Sequence, residues 1–278
     1  FQSDYRNTDI PNLVNFNKII NLDDYIKRKM VKFVDNDGSV QVLNFDCTLT
    51  LAQLFSNSDI PMSQSKKSSY LSRTTSMNTA RLLKETLIWG AENYNEDELQ
   101  SDTDILSLGI NSLNVLGIKD FTLDIGSIEF IDAMVSSIKD KYRSEIIRLI
   151  EEKNTSELER YLALTSLDEL TKNKILQIPT IFGDFKESIN KARKISMNPA
   201  SDIALDKLEK LYSNLSAKGY EEYLMLDIGF TNSYDYYSGI IFKGYTNDLG
   251  KIVLQGGRYD CLMSVFNSDL KGCGFSVD

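Results

Sequence analysis

The sequence predicts an α+β fold in which an antiparallel sheet is flanked by helices and carries a helical insertion. Three observations predict it. Met30–Val34 and Val40–Leu43 alternate apolar residues on either side of Asp35-Asn36-Asp37-Gly38, the pattern of a hairpin closed by an Asx/Gly turn. Tyr223–Ile228, Tyr236–Tyr245 and Lys251–Gln255, with a tight turn at Asn247–Gly250, read as an antiparallel meander. Between them, over residues 139–218, apolar residues recur at helical spacing instead. The expected division is a core of residues 1–138 and 219–278 with a helical insertion at 139–218.

The remaining elements follow in order. Thr48–Phe55 places Leu49, Leu51, Ala52, Leu54 and Phe55 on one face of a short helix that starts just after Asp46. Residues 56–79 are rich in Ser, Asn and Lys with little periodicity, which predicts an exposed, mobile loop. Arg81–Ala91 fits helix or strand, and Trp89-Gly90-Ala91-Glu92 favours a strand ending near a carboxylate. A helix is expected over Ser101–Leu116, with Ser101 and Asp104 as a capping pair and Gly117 as its stop. Phe121–Gly126 alternates as a half-buried strand, and Ile128–Ile138 is helical again. Ser166, Pro179, Pro199 and Gly219 divide the helical stretch that follows. No internal repeat or low-complexity tract occurs.

Composition excludes several chemistries. The chain has 278 residues, 40 acidic against 31 basic side chains and no histidine, for a net charge of -9. Without histidine there is no Ser-His-Asp or Cys-His nucleophile and no His-ligated metal. Cys47, Cys261 and Cys273 form no C-x-x-C pair and read as reduced thiols, so no zinc site is expected; any catalysis would have to use carboxylates, lysine, tyrosine or a bound cofactor, and no cofactor is expected. Net acidity with scattered Lys and Arg argues against a nucleic-acid grip. No run of 18 apolar residues appears and Phe1-Gln2-Ser3-Asp4 is unlike a signal peptide, so the expected location is cytoplasmic, away from any membrane.

The most specific signal lies near the C-terminus. Asp235-Tyr236-Tyr237-Ser238-Gly239-Ile240-Ile241-Phe242 is followed by Gly256-Gly257-Arg258-Tyr259-Asp260 and then Gly272-Cys273-Gly274-Phe275. A Gly-Gly pair at a strand end lets backbone approach a ligand, Arg258 offers a forked donor, and Asp235 with two phenols suits an ammonium group. The plainer reading is a glycine turn with tyrosines packed on a neighbouring strand.

These segments resemble the histidine-recognition segments of class II histidyl-tRNA synthetases and their paralogues. The resemblance continues through the hairpin at Lys32–Gly38, the turn Leu43-Asn44-Phe45-Asp46-Cys47-Thr48 (similar to that family's L-R-P-D/E-x-T), Gly90-Ala91-Glu92 at the end of the motif 2 strand, Pro11 as a motif 1 proline, and the strand Phe121–Gly126. It implies a class II synthetase core and a histidine-like pocket built from Asp46, Thr48, Glu92, Asp235, Tyr236, Tyr237, Gly256, Gly257, Arg258 and Tyr259. By resemblance Asp46 meets the α-ammonium, Glu92 the imidazole, and Tyr237 lines the pocket. Asp46 fits a helix cap equally well, and Glu92 fits a strand-end carboxylate in water.

The departures from the pattern shift the expected function. Active synthetases use arginines to neutralise ATP phosphates and the charge of adenylate formation. The arginine of the L-R-P turn is Asn44, the one three residues before Asp235 is Asn232, and the motif 2 Phe-Arg pair has no counterpart between Ser72 and Arg81. The family's glutamine four residues before Glu92 is Ile88. The motif 3 arginine and an anticodon-binding domain fall outside a chain ending at Asp278, and the ends at Phe1 and Asp278 suggest truncation. A synthetase core so altered resembles the regulatory subunits of ATP phosphoribosyltransferase. That implies a non-catalytic protein, a homodimer within a hetero-oligomer, whose partner is the short-form catalytic subunit and whose effector is histidine. The rival is a stand-alone synthetase-like enzyme that activates an amino acid with ATP, for which Arg73, Arg81 and Arg258 are the remaining phosphate-binding candidates.

Overall fold

A computed structural model describes residues 4–19, 27–28, 30–57, 67–77, 82–94, 97–231, 236–246 and 250–278. In chain order the elements used below are strands β1 (Arg6–Asn7), β2 (Leu13–Asn15), β3 (Lys32–Val34) and β4 (Val40–Leu43), helix α1 (Cys47–Asn57), strands β5 (Lys67–Met77) and β6 (Leu83–Asn93), helix α2 (Glu98–Val115), strand β7 (Phe121–Ser127), helices α3 (Ile128–Met134), α4 (Asp140–Glu151), α5 (Thr155–Ala163) and α6 (Glu169–Gln177), strand β8 (Phe182–Asp184), helices α7 (Phe185–Ile195) and α8 (Pro199–Ala217), strands β9 (Leu224–Asp227), β10 (Ile240–Thr246) and β11 (Ile252–Arg258), helix α9 (Asp260–Val265), and strand β12 (Cys273–Val277). They divide into two compact units, residues 1–101, 234–236 and 258–278, and residues 102–233 and 237–257. The mixed α+β architecture, strands flanked by helices, is the expected one.

In the first unit β5 and β6 form a long antiparallel ribbon, in register from Lys67 opposite Asn93 to Met77 opposite Leu83. β1 extends it in parallel on one side and β12 pairs antiparallel with β6 on the other. The expected hairpin is present as β3 and β4, with β2 on the other edge of β4. Gly38 closes its turn at φ +85, a conformation that costs a glycine nothing. The loop expected over residues 56–79 is corrected here: 58–66 and 78–79 lie outside the described residues, but Lys67–Met77 is strand. Every second side chain, Ser68, Tyr70, Ser72 and Thr74, is buried. Period-two burial is the strand signature, yet three of these four residues are polar, so a hydropathy pattern does not display it.

In the second unit the strand order is β11-β10-β7-β9-β8. β10 pairs antiparallel with β7 and β11, β7 runs parallel to β9, and β8 adds antiparallel to β9. Phe121, Leu123 and Ile125 of β7 are buried, as alternation requires. Residues 139–218 fall in this unit with these strands and supply helices α4 to α8. They are not helical throughout, because Phe182–Asp184 adopts strand geometry through Gly183 at φ +113 before Asp184 caps α7 by accepting from Glu187 N–H at 2.9 Å. Asn198 and Ser201 form a reciprocal capping box around Pro199 at the start of α8, and Gly219 follows its end at φ +85. Ser101, expected as a cap, sits inside α2; Asp97 precedes the helix and accepts from Gln100 N–H at 3.0 Å. Among the described residues no helix is long and apolar enough to cross a membrane.

Candidate functional site

The site is built where α1 begins and β6 ends. One Asp46 oxygen accepts from Leu49 N–H at 3.0 Å, so the carboxylate caps α1, and the other accepts from Tyr236 Oη–H at 3.0 Å. Both sequence readings of Asp46 are therefore compatible with its geometry. Two residues on, Thr48 Oγ1 donates to Glu92 Oε1 at 2.7 Å. Tyr70 Oη reaches the same oxygen at 3.3 Å and Tyr259 Oη donates to Glu92 Oε2 at 2.5 Å. Glu92 is completely buried, so it is not a strand-end carboxylate in water. Burial pushes its carboxyl up to about 8, with the three hydroxyls pulling the other way and Asp46 adding to the rise. The same burial raises the Tyr70, Tyr94 and Tyr259 phenols and pushes the Cys47 thiol up to about 12. Cys47 is thus an inert thiol.

Glycines make room for these groups. Gly274 lies opposite Glu92 in the β12–β6 pairing, and a Cβ there would stand 1.5 Å from Glu92 Oε2. A Cβ on Gly90 would stand 2.3 Å from Tyr70 Oη, and one on Gly272 would stand 2.3 Å from the Tyr259 ring. The Gly-x-Gly-Phe and Gly-x-Glu segments are therefore two halves of one packing arrangement. Around them Tyr259 meets Tyr94 and Tyr236 edge-on, both with ring centroids at 6.3 Å, and Tyr94 stacks on Phe55 at 4.6 Å.

The structure thus brings together Asp46, Thr48, Glu92, Tyr236 and Tyr259. Tyr70 and Tyr94 join them without being expected from the sequence, Tyr70 because the polar residues around it carry no strand-like hydropathy. Tyr237, Gly256 and Gly257 belong to the second unit, where a Cβ on Gly257 would stand 2.7 Å from the Tyr237 ring, leaving ring-on-backbone packing as the reason for that glycine. Asp235 and Asn232 lie outside the described residues. Arg258 is buried, and its guanidinium donates to Asp260 Oδ1 at 3.1 Å, Glu98 O at 3.0 Å and Ser101 Oγ at 2.7 Å. Its fork thus ties the start of α9 to the first turn of α2. Among the described residues no group of three or more Cys, Asp or Glu is arranged to hold a metal ion.

Comparison with known proteins matches residues 5–278 to the family described as Histidyl-tRNA synthetase. The chain belongs to the histidyl-tRNA synthetase family. Among curated family members, the ATP phosphoribosyltransferase regulatory subunit of Oceanobacillus iheyensis is 32% identical over 251 residues, 90% of this chain and 62% of that protein. The protein of the same name from Clostridium acetobutylicum is 30% identical over 258 residues, 91% of this chain and 63% of that protein. This chain therefore spans a little over three fifths of the length of these relatives. A crystal structure of an ATP phosphoribosyltransferase regulatory subunit/histidyl-tRNA synthetase from Bacillus halodurans superposes with a TM-score of 0.89 at 24% identity, over 98% of this chain and 72% of that one. A chain of the ATP phosphoribosyl transferase (HisG:HisZ) complex from Thermotoga maritima gives 0.76 at 17% identity, over 98% and 90%. The structural likenesses establish the class II synthetase-like fold.

Within this family frame, Asn44 stands where the resemblance expects an arginine, and it is a buried structural residue. Its backbone O accepts from Thr75 N–H at 2.7 Å, its side-chain oxygen accepts from Thr50 Oγ1–H at 3.0 Å, and its amide faces Cys47 Sγ at 3.5 Å. Arg73 is exposed on β5, on the face opposite Tyr70 and hence opposite Glu92. Arg81 lies outside the described residues.

Proposed function

We propose that this protein is a regulatory, non-catalytic subunit of an ATP phosphoribosyltransferase, acting with a short catalytic subunit at the first step of histidine biosynthesis. The single observation that carries the reading is the run of curated relatives of that name at 30–32% identity over about nine tenths of this chain. The side chains agree with it. An adenylate-forming enzyme needs arginines at the phosphates, whereas Asn44 is committed to internal hydrogen bonds, Arg258 is tied to α2 and α9, and Arg73 points away from Glu92. The reaction, transfer of a phosphoribosyl group to ATP, belongs in this reading to the partner.

The cluster of Asp46, Thr48, Glu92, Tyr236 and Tyr259 is read as the pocket for histidine, the effector. Carboxylates pair with the ammonium and imidazole of that ligand, and phenols supply the remaining hydrogen bonds. The protein works in the cytoplasm, as a homodimer within a hetero-oligomer. The test is to mix it with the short catalytic subunit of the same organism, measure co-elution, and assay ATP–pyrophosphate exchange with each amino acid on the protein alone. Co-elution without exchange is expected. Exchange dependent on one amino acid, with no co-elution, would overturn the reading in favour of a stand-alone synthetase-like enzyme.

A further inference from the structure

Glu92 is an unusual carboxyl. It has no exposed surface, and its hydrogen-bond donors are hydroxyls, those of Thr48, Tyr70 and Tyr259. The titratable groups that face it are Asp46 and Cys47 at the start of α1, Tyr70 on β5, Tyr94 just after β6, and Tyr259 just after β11, while β12 presents Gly274. None of these is a cation, and Asp46 adds like charge. A buried carboxylate is ordinarily stabilised by a lysine or arginine, because an uncompensated ion in a low-dielectric interior is costly. Among the described residues, none of the groups that face Glu92 supplies a countercharge.

Hydroxyls have a property that lysine and arginine lack: each both donates and accepts. With Glu92 ionised, all three hydroxyls donate to it. With Glu92 neutral, its own O–H donates to Thr48 Oγ1, 2.7 Å away, and the threonine hydroxyl turns outward. The same framework therefore holds either protonation state without moving a heavy atom.

We infer that Glu92 is the neutral acid in the free protein and passes its proton to the imidazole of an incoming histidine, so that the complex holds a carboxylate–imidazolium pair sharing one proton. The inference deepens the reading of this cluster as a histidine pocket and rests on it. In the transfer the O–H bond of Glu92 breaks and an N–H bond forms on the neutral imidazole, with no proton exchanged with solvent. The ligand supplies the cation that the described groups around Glu92 do not.

The consequence is a bell-shaped affinity. Glu92 titrates at about 8 and a free imidazole at roughly 6.5. Between those values protein and ligand together already hold the one proton the complex needs. Below the window they hold two, so binding expels one and weakens as pH falls. Above it they hold none, so binding takes one up and weakens as pH rises. Each limb falls about tenfold per pH unit.

Isothermal titration of histidine into the protein across about pH 5.5 to 9, with wild type and Glu92→Gln side by side, tests this. The expected wild-type profile peaks between the two titrations, and the alkaline limb that Glu92 contributes disappears in the variant; titration of the ligand's own amine affects both proteins alike. Binding with the same pH profile in both proteins would overturn the inference and leave the histidine pocket standing. No histidine binding at any pH would overturn the pocket and the inference together. Infrared difference spectra of the wild type give a readout independent of the variant's folding. A buried protonated-carboxyl band near neutral pH that vanishes when histidine is added is expected, and its absence from the ligand-free protein would refute the inference.

Discussion

Replacing Glu92 by glutamine should change how stability depends on pH in a direction opposite to that of an ordinary paired carboxylate. The substitution keeps the shape of the neutral acid, so Thr48, Tyr70 and Tyr259 retain partners and Gly274 still admits the side chain. In the unfolded chain a glutamate titrates near 4.5; in the native protein burial moves Glu92 up to about 8. Between those values the native state binds a proton that the unfolded state has lost. Stability contributed by that proton is fully present below about pH 4.5 and is lost as pH rises through 8. At ~1.4 kcal/mol per pH unit, the loss across the window is on the order of 5 kcal/mol. Glutamine has no proton to lose, so the variant gains on the wild type by that amount between acid and alkaline conditions, while groups such as Asp124 contribute alike to both. Urea unfolding of both proteins at several pH values from about 5 to 9 reads the difference directly. Parallel stability profiles would refute the assignment of Glu92 as a buried, neutral acid.

Other substitutions probe the same framework. Gly274→Ala sets a Cβ 1.5 Å from Glu92 Oε2 and 2.8 Å from Ala91 O, so neither a rotamer change nor a small shift relieves it; a loss of more than about 3 kcal/mol in urea unfolding is expected, and a loss under about 1 kcal/mol would contradict the packing. Arg258→Met deletes the guanidinium's bonds to Asp260, Glu98 O and Ser101 and should cost about 3 kcal/mol, whereas an unchanged unfolding midpoint would show that the fork contributes nothing to folding. Asp46→Ala removes the α1 cap at about 1 kcal/mol and should abolish histidine binding in calorimetry; retained binding would remove Asp46 from the pocket. Tyr259→Phe deletes a bond that favours ionised Glu92, so the carboxyl band in infrared titration should persist to higher pH, and a shift to lower pH would contradict the geometry.

Much of this molecule is legible in its sequence, and what is hidden has physical causes. The helix α1, the strand β7 and the helices after it bury apolar side chains at the period of their element, and the β3–β4 hairpin, whose Phe33 and Val34 are exposed, is revealed by its Asx/Gly turn instead. β5 does not, because its inward row is Ser68, Tyr70, Ser72 and Thr74, polar groups buried beside the site. Ser101 predicts a start for α2 a few residues late because its side chain is of a capping type, but that side chain accepts from Arg258 inside the helix. A family resemblance points to Asp46, Thr48, Glu92 and Tyr259, and the structure adds what lets Glu92 pack among them: Gly274 opens the space that it fills. Arg258 shows the reverse. A Gly-Gly-Arg segment advertises a ligand-binding fork, and only burial reveals that its donors are spent on α2 and α9. Tertiary context decides what a donor meets, and a linear sequence does not carry that context.

In the proposed role this histidyl-tRNA synthetase-like chain regulates a phosphoribosyltransferase and performs no adenylation itself. The most direct measurement is the ATP phosphoribosyltransferase activity of the short catalytic subunit from the same organism, with and without this protein, across a histidine titration. Strong activation by the protein is expected, with progressive inhibition of the activated enzyme as histidine is added and loss of that inhibition in Asp46→Ala. A catalytic subunit whose activity is the same with and without this protein would contradict it.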